Sequence, residues 1–274
     1  MFDIRGRTAL VTGASAGVGL AVARRLLQFG ANVVLCARDE ARLGAAAEGL
    51  LAPQRVLAVP WDVADTTRAP ELLERIRGHF GGLSILVNNA GVNHRGDFAS
   101  LDPRQVSAVI ELNLRAPMVL TSLALPMIRA GGRGAIVNVA SLAGRVPLAH
   151  EACYSASKFG LRAFTLALAQ ELAGSGVSAS VVSPGPIDTG FIMDAIDEVP
   201  DIVFSQPMSS AAEVAEAVMD CIRDGRPERA LPVASGVLSH IAYLFPWLAE
   251  RIRPALEARG RRAKAVYRAR RRTP

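Results

Sequence analysis

Short uninterrupted apolar runs alternate along this chain with longer stretches of helical spacing. The runs Thr8–Thr12, Asn32–Ala37, Arg55–Val59, Ser84–Asn88, Ala135–Val139 and Val177–Val182 are predicted strands. Helices are predicted between them: from the first glycine-rich turn to about Gly30, then over Glu40–Leu51, Leu72–Phe80, Gln105–Ala130 and Ala152–Leu172. Pro117 should kink the long fourth helix, because proline has no N–H to give and crowds the preceding turn. The strands are continuous Val, Ile, Leu and Ala rather than alternating, the mark of strands covered on both faces. Repeated strand–helix units of this kind predict an α/β fold, a Rossmann-like doubly wound parallel sheet flanked by helices. Further on, Ser209 or Ser210 is placed to cap a helix over Ala211–Ile222, with Glu213 in its first turn. Arg229–Ala234 reads as a last strand. The expected organisation is one domain over residues 1–235 and a helical, Arg-rich extension over 236–274.

Composition narrows the class. Half of the 274 residues are hydrophobic and a fifth are charged, which excludes a disordered chain. No apolar run reaches the roughly 18 residues of a membrane span. No signal peptide is visible at the start. Cys36, Cys153 and Cys221 lie far apart without CxxC spacing. They argue against a disulfide framework or a zinc site, and fit a reducing cytosol. His79, His94, His150 and His240 form no ligand spacing, so no metal is expected. The net charge of +6 hides an asymmetry: from Glu250 onward ten basic residues face two acids, leaving the rest of the chain slightly acidic. Only two of the 31 basic residues are Lys, namely Lys158 and Lys264.

The first strand runs into Thr12-Gly13-Ala14-Ser15-Ala16-Gly17-Val18-Gly19. Glycines there allow a tight turn and close approach of backbone to a phosphate, and the following helix aims its N–H groups at the anion. An ordinary strand–helix turn would show the same residues, but the position after a first strand favours a nucleotide. Arg38 follows the second strand, where a dinucleotide's adenosine ribose lies. An Arg there can pair with a 2′-phosphate, which favours NADP(H); Asp39, next in sequence, leaves NAD(H) open. Tyr154 and Lys158, at i and i+4, share one helix face. An ammonium near a phenol favours the phenolate and lowers its pKa, so the pair suits proton transfer. Ser141 lies at the end of the fifth strand, where catalytic groups of such sheets gather.

With these motifs in order, the sequence resembles the classical short-chain dehydrogenase/reductase family from about Thr8 to Thr189. The resemblance rests on Thr12–Gly19, Asp62-Val63, Asn88-Asn89-Ala90-Gly91, Asn113, Ser141, Tyr154-to-Lys158 and Pro184–Thr189. It implies that Tyr154 is the general acid or base, that Lys158 lowers the Tyr154 pKa and holds the nicotinamide ribose, and that Ser141 holds the substrate oxygen. It implies that Asn113 supports a water-linked proton path to Lys158. The cofactor would lie on Gly13, Ser15, Gly17, Val18 and Gly19, with Arg38 at its ribose and Asp62 and Val63 at its adenine. Asn89, Ala90 and Gly91 would line it, and Pro184, Gly185, Ile187 and Thr189 would fix its nicotinamide end. Asn88 would brace the central sheet. Ser157 reads as a helix-surface residue and Cys153 as packing.

The family places a mobile substrate lid at residues 190–208. Here that segment carries Phe191, Ile192, Met193, Ile196, Ile202, Val203, Phe204 and Met208. They cover an apolar substrate or simply pack on the core. The extension, with Tyr243, Phe245, Trp247 and the basic end, is read in three ways. It lies on a membrane surface or at a lipid-like substrate entrance, meets an acidic partner such as an acyl carrier protein, nucleic acid being the less expected one, or is a solvated helix with a frayed end, in one case at an oligomer interface. The expected function is an NAD(P)-dependent oxidoreductase, NADP(H)-preferring, moving a hydride between nicotinamide C4 and a carbonyl or secondary alcohol. Its substrate is expected to be an apolar small molecule of lipid, steroid or 3-oxoacyl kind. A cytoplasmic homodimer or homotetramer, peripheral at a membrane if the tail binds one, completes the expectation. The alternative is a non-catalytic NADP(H)-binding sensor or scaffold acting through its tail.

Overall fold

The computed structural model describes residues 2–272, with side chains as far as Ala269. Seven strands form one sheet: Thr8–Thr12 (β1), Asn32–Ala37 (β2), Val56–Pro60 (β3), Ile85–Asn88 (β4), Gly134–Val139 (β5), Val177–Pro184 (β6) and Glu228–Leu231 (β7). All pair in parallel, in the order β3-β2-β1-β4-β5-β6-β7. The order reverses direction beside β1, so the carboxyl ends of β1 and β4 flank a crevice.

Ten helices accompany the sheet among the described residues: α1 (Gly17–Gln28), α2 (Glu40–Glu48), α3 (Ala69–Phe80), α4 (Pro103–Ile110), α5 (Ala116–Ala130), α6 (Ala152–Glu171), α7 (Gly190–Met193), α8 (Ala211–Asp224), α9 (Val233–Leu244) and α10 (Pro246–Arg272). Successive strand residues point to opposite faces. On one face Val11, Leu35 and Val137 pack with Val22, Leu26 and Val218 of α1 and α8. On the other, Leu10, Leu86 and Ile136 pack with Ile76, Leu120 and Leu168 of α3, α5 and α6. Both faces are thus covered, as the uniformly apolar strands require.

Three details differ from expectation. The long fourth helix starts at Pro103, capped by Asp102, whose carboxylate accepts from Arg104 N while the Gln105 side chain accepts from Asp102 N. Its irregularity is not a kink at Pro117 but a π-helical turn over Glu111–Arg115, just ahead of it. Pro117 sits at the start of α5 and has no N–H for the carbonyl of Asn113, four residues back. Taken from Pro103 to Ala130, this helix is long and apolar enough, by length and composition, to cross a membrane. It lies instead against the sheet, where Thr121 is hydrogen-bonded to Asn88.

The last strand covers Glu228–Leu231 rather than Arg229–Ala234. Pro232 cannot donate to a ladder and stands at the N-cap of α9, so residue 236 lies inside a helix. Ser210, not Ser209, caps α8, in a capping box with Glu213.

Candidate active site

A buried polar ladder sets the floor of the crevice. Asn88 Nδ2 donates to Asn138 Oδ1 at 2.8 Å and to Thr121 Oγ1 at 3.2 Å, and Asn138 Nδ2 donates to Thr165 Oγ1 at 2.8 Å. Asn88 therefore braces the sheet, as expected of it. Thr12 Oγ1 accepts from Asn89 N and Ala90 N, both at 3.0 Å, while Asn89 Nδ2 donates to the Thr12 and Gly13 carbonyls. The turn after β4 is thereby tied to the glycine turn after β1. At Gly19 a Cβ would lie 2.3 Å from the Gly13 carbonyl, so only glycine lets α1 start this close to the strand end.

A cavity of about 930 Å³ opens over these strand ends. Gly13, Gly17 and Val18 line it from the first turn, Asn89, Ala90 and Gly91 from the second. Ser141, Tyr154 and Lys158 line it from β5 and α6, and Pro184, Gly185, Ile187 and Thr189 from the end of β6. The remaining candidates stand apart from its wall. Ser15 is half-buried within the turn, and Gly19 lies behind it. Arg38 and Asp62 are exposed, Asp62 accepting from Ala64 N, and Val63 packs on the core. Asn113 is fully buried.

Ser141 follows β5 by two residues and caps a short 3₁₀ turn, its Oγ accepting from Ala143 N at 3.1 Å. Tyr154 and Lys158 come from the first two turns of α6, with Lys158 Nζ 5.6 Å from the Tyr154 ring centre and donating to the Val139 carbonyl at 3.0 Å. Burial pushes the Tyr154 phenol well above the usual tyrosine range, and the charge of Glu151 adds to this. A hydrogen bond with Ser141 and the charge of Arg95 pull it back in part. Burial takes Lys158 down to about 8. In this arrangement desolvation, not the neighbouring ammonium, sets the phenol, which stays protonated at neutral pH.

Asn113 lies in the π turn. Its Oδ1 accepts from Val92 N and its Nδ2 donates to the Val92 carbonyl, both at 2.8 Å. Nδ2 also donates to Ser157 Oγ at 3.1 Å, and Ser157 Oγ donates to the Tyr154 carbonyl at 2.7 Å. Ser157 is therefore completely buried, not a surface residue. The reason is the face it occupies: three residues beyond Tyr154, it meets the long helix rather than solvent. A Cβ on Gly91 would lie 3.2 Å from Asn113 Oδ1 and 3.6 Å from Lys158 Nζ, so Asn113 and Lys158 flank the same glycine.

Three further groups on the wall were not found from sequence. Arg95 Nε donates to Glu151 Oε1 at 2.8 Å, with side-chain exposures of 4% and 5%. Arg95 also lies 5.6 Å from the Phe191 ring, itself 6.2 Å from that of Tyr154. Arg42, in the first turn of α2, reaches the cavity. A cation there opposes the helix dipole, which was the available signal. Asp39 is engaged as the α2 N-cap, accepting from Arg42 N at 2.9 Å. The glycine cradle and the loop after β4 that lines the same cavity fit a nicotinamide dinucleotide.

The lid residues divide. Phe191, Ile192, Ile202 and Val203 line the cavity, whereas Ile196, Val199 and Phe204 bury against Ala263 and Tyr267 of α10, a cluster that Ile192 and Val203 also join. Much of the tail's charge is engaged within the chain: Arg253 with Glu257, Arg261 and Lys264 with Asp201, and Arg268 with Asp197. A membrane or acidic-partner contact through the tail gains no support from this packing. Arg270, Arg271 and Arg272 lie outside the described side chains.

A parallel sheet with a glycine turn at its switch point and a Ser–Tyr–Lys cluster across the crevice defines a nucleotide-dependent oxidoreductase fold. The family model described as short chain dehydrogenase matches residues 7–199, and the chain belongs to that family. It is 38% identical to a ketoacyl reductase, HetN, of Nostoc sp., over 80% of this chain and 77% of that one. It is 36% identical to a D-beta-hydroxybutyrate dehydrogenase of Cupriavidus necator, over 71% and 76%. Among solved structures, an L-sorbose reductase of Gluconobacter frateurii, complexed with NADPH and L-sorbose, aligns with a TM-score of 0.73 at 29% identity, covering 84% of this chain and 97% of that one.

Proposed function

We propose that the protein is an NADP(H)-preferring oxidoreductase that interconverts a carbonyl and a secondary alcohol on an apolar, 3-oxoacyl-like substrate. The observation that carries this reading is Tyr154. It is a buried phenol held protonated at neutral pH, with Ser141 beside it on the wall of the cavity that the glycine turn also lines. Ser141 orients the substrate oxygen, and Tyr154 gives that oxygen a proton as negative charge develops on it. Lys158 stays largely cationic at neutral pH and favours charge transfer onto the oxygen side of the site. Asn113 acts through the Val92 loop and Ser157, fixing the depth of α6. A bound nicotinamide supplies or accepts the hydride at the substrate carbon.

Arg38 and Arg42 hold the 2′-phosphate in this reading, Asp39 being engaged by its own helix. Gly13, Ser15, Gly17, Val18 and Gly19 take the pyrophosphate. Asp62 and Val63 take the adenine, and Asn89 to Gly91 with Pro184, Gly185, Ile187 and Thr189 take the nicotinamide half. The three cysteines are buried and free of disulfides, in keeping with a cytoplasmic enzyme. Copies pair through the α4–α5 and α6 side, where Met118 and Leu123 are exposed.

The test is NADPH oxidation with a panel of ketones and 3-oxoacyl esters. Turnover lost in Tyr154→Phe but retained in the parent supports the reading. Tight NADPH binding with no turnover of any carbonyl would favour the sensor or scaffold instead.

A further inference from the structure

Lys264 is buried, with 6% of its surface exposed, 65 residues along the chain from its partner. Its Nζ donates to the Val199 carbonyl at 2.6 Å and the Asp197 carbonyl at 3.3 Å, and pairs with Asp201 Oδ1 at 3.3 Å. One ammonium thus closes off three acceptors of the turn between α7 and the 3₁₀ segment Asp201–Ser205. Four residues earlier, α10 lies on that segment at Gly260, where a Cβ would fall 1.8 Å from the Asp201 carbonyl. Only glycine allows this approach. Tyr267 stacks obliquely on Phe204 with ring centres 6.0 Å apart. The segment's own ends are joined by the bridge between Ile187 and Ser209. At the other end of the extension, Arg145 donates to the Gly236 carbonyl of α9 at 2.9 Å. Residues 190–208 and the extension are therefore one packed body fixed to the sheet at both ends.

That body has an inner surface. Leu238, Tyr243, Ile252 and Leu256 of α9 and α10 line the same cavity as Tyr154, facing Ile202 and Val203. The extension also contributes Ser235, Ser239, Glu250 and Arg253 to the lining, so this wall is part polar, with Leu238, Ile252 and Leu256 among its apolar members.

We infer that α9 and α10 form the binding wall for an extended apolar chain on the substrate, and that Lys264 is the positioning residue that fixes this wall against the 190–208 segment. The inference rests on the proposed reaction for the placement of the substrate's reacting end, and adds the class of its far end. An apolar chain leaving the carbonyl held at Ser141 and Tyr154 passes under Ile202 and Val203 and along Leu256. Lys264 makes no contact with the substrate. Unlike a mobile flap, a wall fixed by a buried ammonium keeps its shape without a bound chain, so it discriminates by length.

The probes are the four-carbon and twelve-carbon 3-oxoacyl thioesters of N-acetylcysteamine, offered to the full chain saturated with NADPH. Both calorimetric affinity and kcat/KM are read as a twelve-to-four ratio. The parent should bind the longer probe more tightly. Leu256→Trp, which fills the wall, and Lys264→Met, which releases it, should each lower that ratio about tenfold, the scale of discrimination an apolar pocket gives. In Lys264→Met the loss should fall on KM for the longer probe and spare kcat. Leu256→Trp carries the test alone if Lys264→Met does not fold. Equal binding of the two probes by the parent, or a ratio in Leu256→Trp within about twofold of the parent's, overturns the inference. Absence of turnover with both probes would count against the proposed reaction, and the affinity ratio would still decide the inference.

Discussion

The amide of Asn113 donates to the hydroxyl of Ser157 across 3.1 Å, joining the π turn of the long helix to the helix that carries Tyr154 and Lys158. The same side chain pairs with both backbone groups of Val92. The irregular turn and its asparagine thus set the distance between the cofactor-side loop and the catalytic helix.

Replacing Asn113 with Ala should therefore damage the fold as well as the reaction. It leaves the Val92 N–H and carbonyl unpaired in a half-buried place, where the penalty of about 1–3 kcal/mol for each orphaned buried group is an upper bound. The expected result is a urea midpoint clearly below the parent's, with the slope unchanged. A midpoint equal to the parent's would show that the contact does not hold these elements.

Tyr154→Phe removes only the phenolic oxygen and keeps the ring packed against Phe191. Turnover should fall about 10²–10⁴-fold, the range a positioned acid supplies, while NADPH affinity changes little. Stopped-flow reduction and a fluorescence titration check the two halves.

The pH profile should report Lys158. Its pKa is lowered to about 8, so the ammonium is present below that value and lost as pH rises through it. Tyr154, raised well above this range, adds no limb of its own. Rate of reduction should be level in the neutral range and fall above pH 8. In Lys158→Arg the guanidinium keeps its charge, so the alkaline fall should vanish even where the rate is lower. A fall that persists unchanged would assign the limb elsewhere.

Arg42→Ala should lower kcat/KM for NADPH by about tenfold or more, the value of one charge-assisted phosphate contact, and leave that for NADH nearly unaltered. Equal losses with both cofactors would remove Arg42 from the 2′-phosphate site.

Sheet, helices and the Ser141, Tyr154, Lys158 cluster were legible because each rests on local spacing: apolar runs for strands, i to i+4 for the pair, a strand end for the serine. What stayed hidden depends on contacts between distant segments. Ser157 looked like surface because the face of α6 that meets Asn113 cannot be read from α6 alone. Arg95 and Glu151 come from two separate loops. Lys264 has its partners in a turn more than sixty residues earlier, so its rarity was visible while its purpose was not. Pro117 is the expected site of distortion, but the irregularity is the π turn over Glu111–Arg115, one turn earlier, which holds the Asn113 carbonyl that Pro117 cannot serve. The last strand was placed too late because Pro232 ends the ladder rather than extending it.

The most direct test follows the hydrogen itself. The protein is incubated with NADPH carrying deuterium at nicotinamide C4 and with the twelve-carbon 3-oxoacyl thioester, and the product is read by mass spectrometry and proton NMR. A single deuterium on the carbinol carbon, of one configuration, formed at least about a hundredfold more slowly by Tyr154→Phe, is the predicted result. No reduced product, or an equal rate from the variant, would contradict the account.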